Sequence, residues 1–258
     1  MNILAQLPHE IKGITPLEGF LSQQLEIIYH CSPGKHEIRI LDRRGQKKGG
    51  TYAIGLPETP EEAVRLIDSH FFDQQAHNAF IILNRVSPDF KLEMKSKYIE
   101  RKKVEVAYDL TKEKDITGIN ALTIDVDRLE KKRDGQFICA STEELREIEI
   151  AKDSIISFLQ TFNLKPNYQI LSGNGYQFVY FFENQLAKDS VKMNIGSILD
   201  GLNKEYKTQT DVDVSLKDLN RLSRLCVWNK KIENKEIPEE GRIYRLASFL
   251  EGQKEINS

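Results

Sequence analysis

Two aspartates spaced one residue apart, Asp125 and Asp127, close the apolar run A-L-T-I-D-V-D at positions 121–127. On a strand, side chains at i and i+2 leave the same face, so both carboxylates project together from the end of a predicted buried strand. Like charges this close resist joint ionisation unless a hard divalent cation, Mg²⁺ or Mn²⁺, or a basic partner offsets them. The pattern recurs at Asp211-Val212-Asp213, which makes one of Asp211 and Asp213 the candidate third ligand. Carboxylates converging from neighbouring strand ends suit one or two divalent ions, which would activate a hydroxyl and neutralise a transferring phosphate. A single D-x-D pair read alone is more simply a polar strand end at the surface. Its recurrence favours the site, although strand alternation alone also produces it.

Further residue groups fit phosphate chemistry, each beside a plainer reading. The turn Ser172-Gly173-Asn174-Gly175 offers backbone N–H groups unobstructed by side chains, as an anion needs, and serves equally as a hairpin turn. Gln177 is polar in an otherwise apolar strand, which marks a face open to a site unless it is a hydrogen-bonded core amide. Arg221 and Arg224, with Lys230 and Lys231 behind them, form the densest basic cluster of the second half. They are suited to phosphate contact or to a solvated helix face. All five histidines, His9, His30, His36, His70 and His77, precede residue 78. The carboxylate half therefore has no histidine base, and nothing points to a Ser-His-Asp or Cys-His enzyme or a histidine-rich zinc site.

The elements that must position these groups follow from periodicity. Leu17–His30 reads as an amphipathic helix, Glu37–Leu41 and Thr51–Gly55 as a strand pair, Glu61–Phe72 as a helix and Ala79–Leu83 as a strand delivering Asn84 to a loop. Lys91–Lys114 is strongly charged and reads as a solvated connection or, around Tyr98, as a loop tracking a nucleic-acid backbone. Ser141 with Glu144 forms a capping box opening a helix to about Phe162, with Ile148, Ala151, Ile155, Phe158 and Leu159 inward. Asn167–Leu171 and Tyr176–Phe182 form a hairpin, Ala187–Tyr206 a helix, Thr210–Leu216 a strand and Asp218–Leu225 a helix bearing Arg221 and Arg224 on one face. Two fused α+β modules, 1–110 and 111–258, are expected.

Composition narrows the class. The 258 residues carry 37 Lys and Arg against 39 Asp and Glu, a net charge of -2, so any nucleic-acid site must be a local patch. Cys31, Cys139 and Cys226 are odd in number and far apart, which argues against a disulfide framework and for a reducing cytoplasm. Nothing reads as a membrane span or signal peptide.

In order and spacing, the motifs resemble the archaeo-eukaryotic primase superfamily, in particular the primase-polymerases of phages, plasmids and related mobile or defence loci. Its E-x-R strand is matched by Glu37-Ile38-Arg39, and its L-N-x-V-x-P turn by Leu83–Pro88. Its hydrophobic-D-x-D motif is matched by Ile124–Asp127, its S-G-N-G-x-H turn by Ser172–Gln177, and its late aspartate and arginine helix by Asp213 and Arg221. The resemblance implies an N-terminal α/β module fused to an RRM-like catalytic module. It implies Asp125, Asp127 and Asp213 as catalytic ligands of a two-metal Mg²⁺ or Mn²⁺ site. It further implies nucleotide-phosphate contacts from Ser172, Gly173, Asn174, Gly175, Gln177, Arg221, Arg224 and Lys230, and nucleotide or template contacts from Arg39 and Asn84. The expected activity is DNA primase or primase-polymerase, joining nucleoside triphosphates to a 3′-hydroxyl on a DNA template, with a separate helicase or other replication or defence protein as a partner. The alternative is a catalytically weakened primase-like module that binds nucleic acid or nucleotide. Two departures bear on this choice. Gln177 stands where the family has histidine, a neutral donor in place of a chargeable one, and Val227-Trp228-Asn229 stands where relatives show G-T.

Overall fold

The alternation of short strands with amphipathic helices produces a mixed α+β fold, seen in a computed structural model that describes residues 16–42, 51–71, 76–92, 94–99, 103–108, 110–133, 136–185, 188–226 and 247–257. Helix α1 (Pro16–Cys31) leads to β1 (Ile38–Asp42) and β2 (Thr51–Gly55), then α2 (Pro60–Phe71), β3 (Ala76–Ile82) and the short β4 (Arg85–Val86). In the charged stretch after it, β5 (Met94–Ile99) pairs antiparallel with β6 (Lys103–Tyr108), where a connection or loop was expected. The long β7 (Ile116–Asp127) follows, with β8 (Lys132–Arg133) and β9 (Gln136–Phe137) beyond it. Next come α3 (Thr142–Gln160), β10 (Tyr168–Leu171), β11 (Gly175–Gln185), α4 (Lys188–Tyr206), β12 (Asp211–Val212), β13 (Leu222–Arg224) and β14 (Ser248–Gly252).

These strands make two main antiparallel sheets. The small one runs β13-β3-β1-β2, and the large one β12-β7-β11-β10-β14 with β4 also paired to β7. Strand order thus crosses the 110/111 division twice: β13 edges a sheet otherwise built from the first 82 residues, and β4 joins the large sheet. One core gathers Leu25 and Ile28 of α1, Ile38, Ile40 and Ile81 of the small sheet, and Tyr168, Val179 and Phe181 of the large one. The opposite face of the large sheet sends Leu122, Ile124 and Val126 against Ile148 and Ile155 of α3 and Leu199 and Leu202 of α4. Helix α3 starts as its capping box dictates: Ser141 Oγ accepts from Glu144 N at 3.1 Å, and Ser141 N donates to Glu144 Oε2 at 2.7 Å.

Three local expectations are corrected. Phe158 is 49% exposed: the buried stripe runs through Leu145, Ile148, Lys152, Ile155 and Leu159, and Phe158 instead meets the Phe162 ring edge-on at 5.3 Å. The strand expected over Thr210–Leu216 ends after Val212, because Asp213 turns back to accept Ser215 N and caps a 3-10 turn over Val214–Lys217. The helix expected over Asp218–Leu225 is instead a turn followed by β13, since pairing with β3 (Leu222↔Ile82, Arg224↔Phe80) overrides the local helical pattern.

Candidate active site

The two-residue alternation of β7 places the first two aspartates. Leu122, Ile124 and Val126 turn to the helices, whereas Ala121 lies in the other core and Thr123, Asp125 and Asp127 continue its face past the point where apolar packing stops. Across the large sheet, Asp125 pairs directly with Gln177 of β11, and Asp127 lies between Gly175 of β11 and Asp211 of β12. The backbone N–H of Asp213 donates to Asp125 O at 3.0 Å, so the third aspartate is pinned beside the first.

A cleft of about 490 Å³ opens over this sheet end, and Asp125, Asp127 and Asp213 all line it. From the sequence-predicted set it also gathers Arg39, Ser172, Asn174, Gln177, Arg221 and Arg224. Asn84 lies elsewhere. Its Oδ1 accepts the backbone N–H groups of Asn120 (3.1 Å) and Ala121 (3.2 Å), and its Nδ2 donates to Leu219 O (2.9 Å), so the amide is spent stapling β7 to the turn that precedes β13. Asp211 is beside the cleft, and Lys230 lies outside the described residues.

The electrostatics of the cleft are uneven. Removal from water, then the neighbouring Asp127 charge and more weakly Asp213, push the Asp125 carboxyl up to about 7, although Arg224 and Lys131 pull the other way. Asp127 is engaged, its Oδ1 accepting Arg128 N at 3.0 Å and its Oδ2 facing Lys131 Nζ at 3.2 Å. Lys131 also reaches Asp211 Oδ2 at 2.7 Å. Asp213 commits Oδ1 to Ser215, from N at 2.9 Å and Oγ at 2.5 Å.

The opposite wall is basic. Arg224 comes from β13, its Nη1 donating to Asn78 Oδ1 at 3.0 Å and its guanidinium lying 5.2 Å from the centre of the Phe80 ring. Its main chain is clamped from both sides: Gln177 Oε1 accepts Arg224 N, and Gln24 Nε2 of α1 donates to Arg224 O at 2.9 Å. Arg221 is exposed and, among the described residues, its side chain is tied only at Nε, to Ser215 O at 3.0 Å. Arg39 is held by an ion pair with the buried Glu37, whose other oxygen accepts Thr111 N at 2.7 Å and Oγ1 at 2.6 Å.

The Ser172–Gly175 turn sits at the rim. Ser172 N and Oγ both donate to Gly175 O, at 2.8 and 3.1 Å. Gly173 has φ of +105°, a conformation glycine adopts without strain. Gly175 is required by close approach, because a Cβ there would sit 2.3 Å from Val126 O. Asn174 Oδ1 accepts Ala140 N at 2.7 Å, joining the turn to the start of α3.

The donor set fits a hard divalent ion in kind: three carboxylates line one cleft, and the Asp125 carboxyl, pushed up first by burial and then by the Asp127 charge, is one that a bound cation would return to its ionised form. The side chains are not yet gathered, and among the described residues no group of three or more His, Cys, Asp and Glu side chains is placed to hold a metal. Asp125, Asp127 and Asp213 would supply the ligands once Asp127 and Asp213 reorient. Sequence reasoning missed Phe80, Asn220 and Ser215 in the lining and Lys131 beside it. Phe80 alternates outward from Ala79 and Ile81, a signal that was available; Lys131 follows a strand end, where a spacing of four residues carries no directional meaning.

No protein-family model matches the sequence, and no curated protein matches it. Among solved structures the chain is similar to the AEP domain of the primase-polymerase of cyanophage S-2L, at 12% identity and a TM-score of 0.49, over 93% of this chain and 92% of that one. It is similar to the catalytic domain of primase RepB′ in complex with initiator DNA, at 10% identity and a TM-score of 0.44, over 92% and 87%. The polymerase domain of Mycobacterium tuberculosis ligase D in complex with DNA gives 11% identity and a TM-score of 0.42, over 80% and 73%. Among the described residues no helix is long and apolar enough to cross a membrane.

Proposed function

We propose that the chain is a metal-dependent nucleotidyltransferase of the primase-polymerase type, joining nucleoside triphosphates to a 3′-hydroxyl on a DNA template. The observation that carries this reading is the juxtaposition, in one cleft, of Asp125, Asp127 and Asp213 with Arg39, Arg221 and Arg224. Carboxylates alone would repel a triphosphate, and arginines alone would hold it without metal; a cleft with both suits a metal-bound triphosphate. Asp125, Asp127 and Asp213 would hold Mg²⁺ or Mn²⁺. The ions, when bound, lower the pKa of the attacking hydroxyl and neutralise charge on the transferring phosphate and leaving group. Arg224, fixed by Asn78, Phe80, Gln24 and Gln177, orients the phosphates. Arg221, at the exposed rim, closes on them, and Arg39 completes the basic wall.

The DNA template and the choice of primase chemistry rest on the motif resemblance in the sequence. A separate helicase or replication partner fits that reading. So does a reducing cytoplasm, in which the buried thiols of Cys31, Cys139 and Cys226 would stay reduced. The experiment is primer synthesis and extension with Mg²⁺ or Mn²⁺ and either class of nucleotide, comparing wild type with Asp125→Ala/Asp127→Ala. Incorporation lost in the double variant supports the reading; none from wild type across metals and templates sinks it.

A second reading, a weakened module that binds nucleotide or nucleic acid without efficient turnover, is favoured by one feature. Gln177 Oε1 is already occupied by Ser223 Oγ and Arg224 N, so this residue serves the wall rather than standing free. Nucleotide binding without incorporation would select it.

A further inference from the structure

We propose that Lys131 is a tethered cation that holds Asp127 in the metal-free protein and is displaced from it when a divalent ion binds. The inference rests on the reading of Asp125, Asp127 and Asp213 as metal ligands. Lys131 Nζ lies between two carboxylates that are direct cross-strand partners, 3.2 Å from Asp127 Oδ2 and 2.7 Å from Asp211 Oδ2. Directly opposed like charges on paired strands are destabilising, and the ammonium relieves that repulsion. Asp127 Oδ1 is meanwhile taken by Arg128 N. Both oxygens of this aspartate are therefore engaged within its own loop, which explains why Asp127 is not turned toward the other two carboxylates.

The ammonium is easily given up. Lys131, Asp127 and Asp211 side chains are 34%, 32% and 45% exposed, so the pairs are partly solvated and individually weak. A divalent ion brings twice the charge and binds several carboxylates at once, so it outcompetes one ammonium for Asp127. Asp211, already the nearer partner, keeps Lys131 when Asp127 is taken by the ion. This also assigns the two late aspartates different tasks: Asp213 lines the cleft, and Asp211 parks the lysine.

The test reads Lys131 directly. Lysines of the full chain are acylated with an N-hydroxysuccinimide ester with and without saturating Mn²⁺ or Ca²⁺, and modification of Lys131 is measured by mass spectrometry. A severalfold rise at Lys131 with metal, absent in Asp127→Asn, is expected. In parallel, Mn²⁺ affinity is measured by electron paramagnetic resonance. Lys131→Gln should bind about fivefold more tightly than wild type. Lys254→Gln, which removes an equal charge from the exposed pair with Glu26, should not. Unchanged Lys131 modification, or affinity not tightened specifically by Lys131→Gln, overturns the inference. Failure of wild type to bind Mn²⁺ overturns it together with the metal assignment. If both metal results hold but no nucleotide is incorporated, the inference stands and only the polymerase reading falls.

Discussion

Gln177 Oε1 accepts the backbone N–H of Arg224 at 3.1 Å and, from the other side, the hydroxyl of Ser223 at 2.7 Å. One amide oxygen of the large sheet thus anchors the edge strand of the small one, at the residue whose side chain forms the basic wall. An amide oxygen has two lone pairs, whereas each imidazole nitrogen has at most one.

Gln177→His is therefore expected to lose function. One buried donor, Ser223 Oγ or Arg224 N, is left unpaired at a cost of roughly 1–3 kcal/mol, which lowers the melting temperature by about 5 °C in a chain this size. Nucleotide affinity should fall with it. Calorimetric melting and nucleotide titration check both, and a variant at least as stable and active as wild type would refute the anchoring role.

The Asp125 carboxyl, held up to about 7 by burial and by Asp127, makes stability depend on pH in a defined sense. Between its ordinary value near 4 and 7 the folded protein holds a proton that the unfolded chain has released. Stability contributed by this group is therefore present at low pH and lost as pH rises through that window. Asp125→Asn should melt at a higher temperature than wild type at pH 8, by at most about 4 kcal/mol in stability, with the difference closing by pH 4. Mn²⁺ affinity of the wild type should rise across the same window.

Arg221 and Arg224 should separate. Arg221 is exposed and tied at one nitrogen, so Arg221→Ala should raise KM for nucleotide about tenfold, the loss of one charge-assisted contact, with an unchanged melt. Arg224→Ala also forfeits the Asn78 bond and the Phe80 contact and should lower both nucleotide affinity and melting temperature. Steady-state kinetics beside thermal melts distinguish the two patterns.

Gly175→Ala should be among the most damaging small substitutions, because its Cβ would collide with the backbone at Val126 O, 2.3 Å away. The strands must part next to Asp127, for an expected loss of about 3 kcal/mol. Gly173→Ala meets the strain of φ +105° and should cost about 1 kcal/mol. Denaturant melts of the two variants would test that order.

Much of this arrangement was legible in local sequence. The D-x-D strand end, the capping box at Ser141, the Ser172–Gly175 turn and the two long helices follow from spacing and turn chemistry alone. What was not legible depends on partners distant in the chain. Residues 218–225 carry a local pattern that suits a helix, and only β3 together with the amides of Gln24 and Gln177, 47 to 200 residues away, makes them a strand edge. Asn84 reads as a turn residue exposed for contact until Asn120, Ala121 and Leu219 are seen to use its whole amide.

The placement of β13 also bears on how the chain could be divided. A fragment ending at residue 110 would leave one edge of β3 without its neighbour and Gln24 without both the main-chain carbonyl and the amide it engages. An unsatisfied strand edge of this kind seeks any available strand. The first fragment alone should therefore self-associate, and a separately produced second fragment should restore solubility by supplying its missing edge in trans.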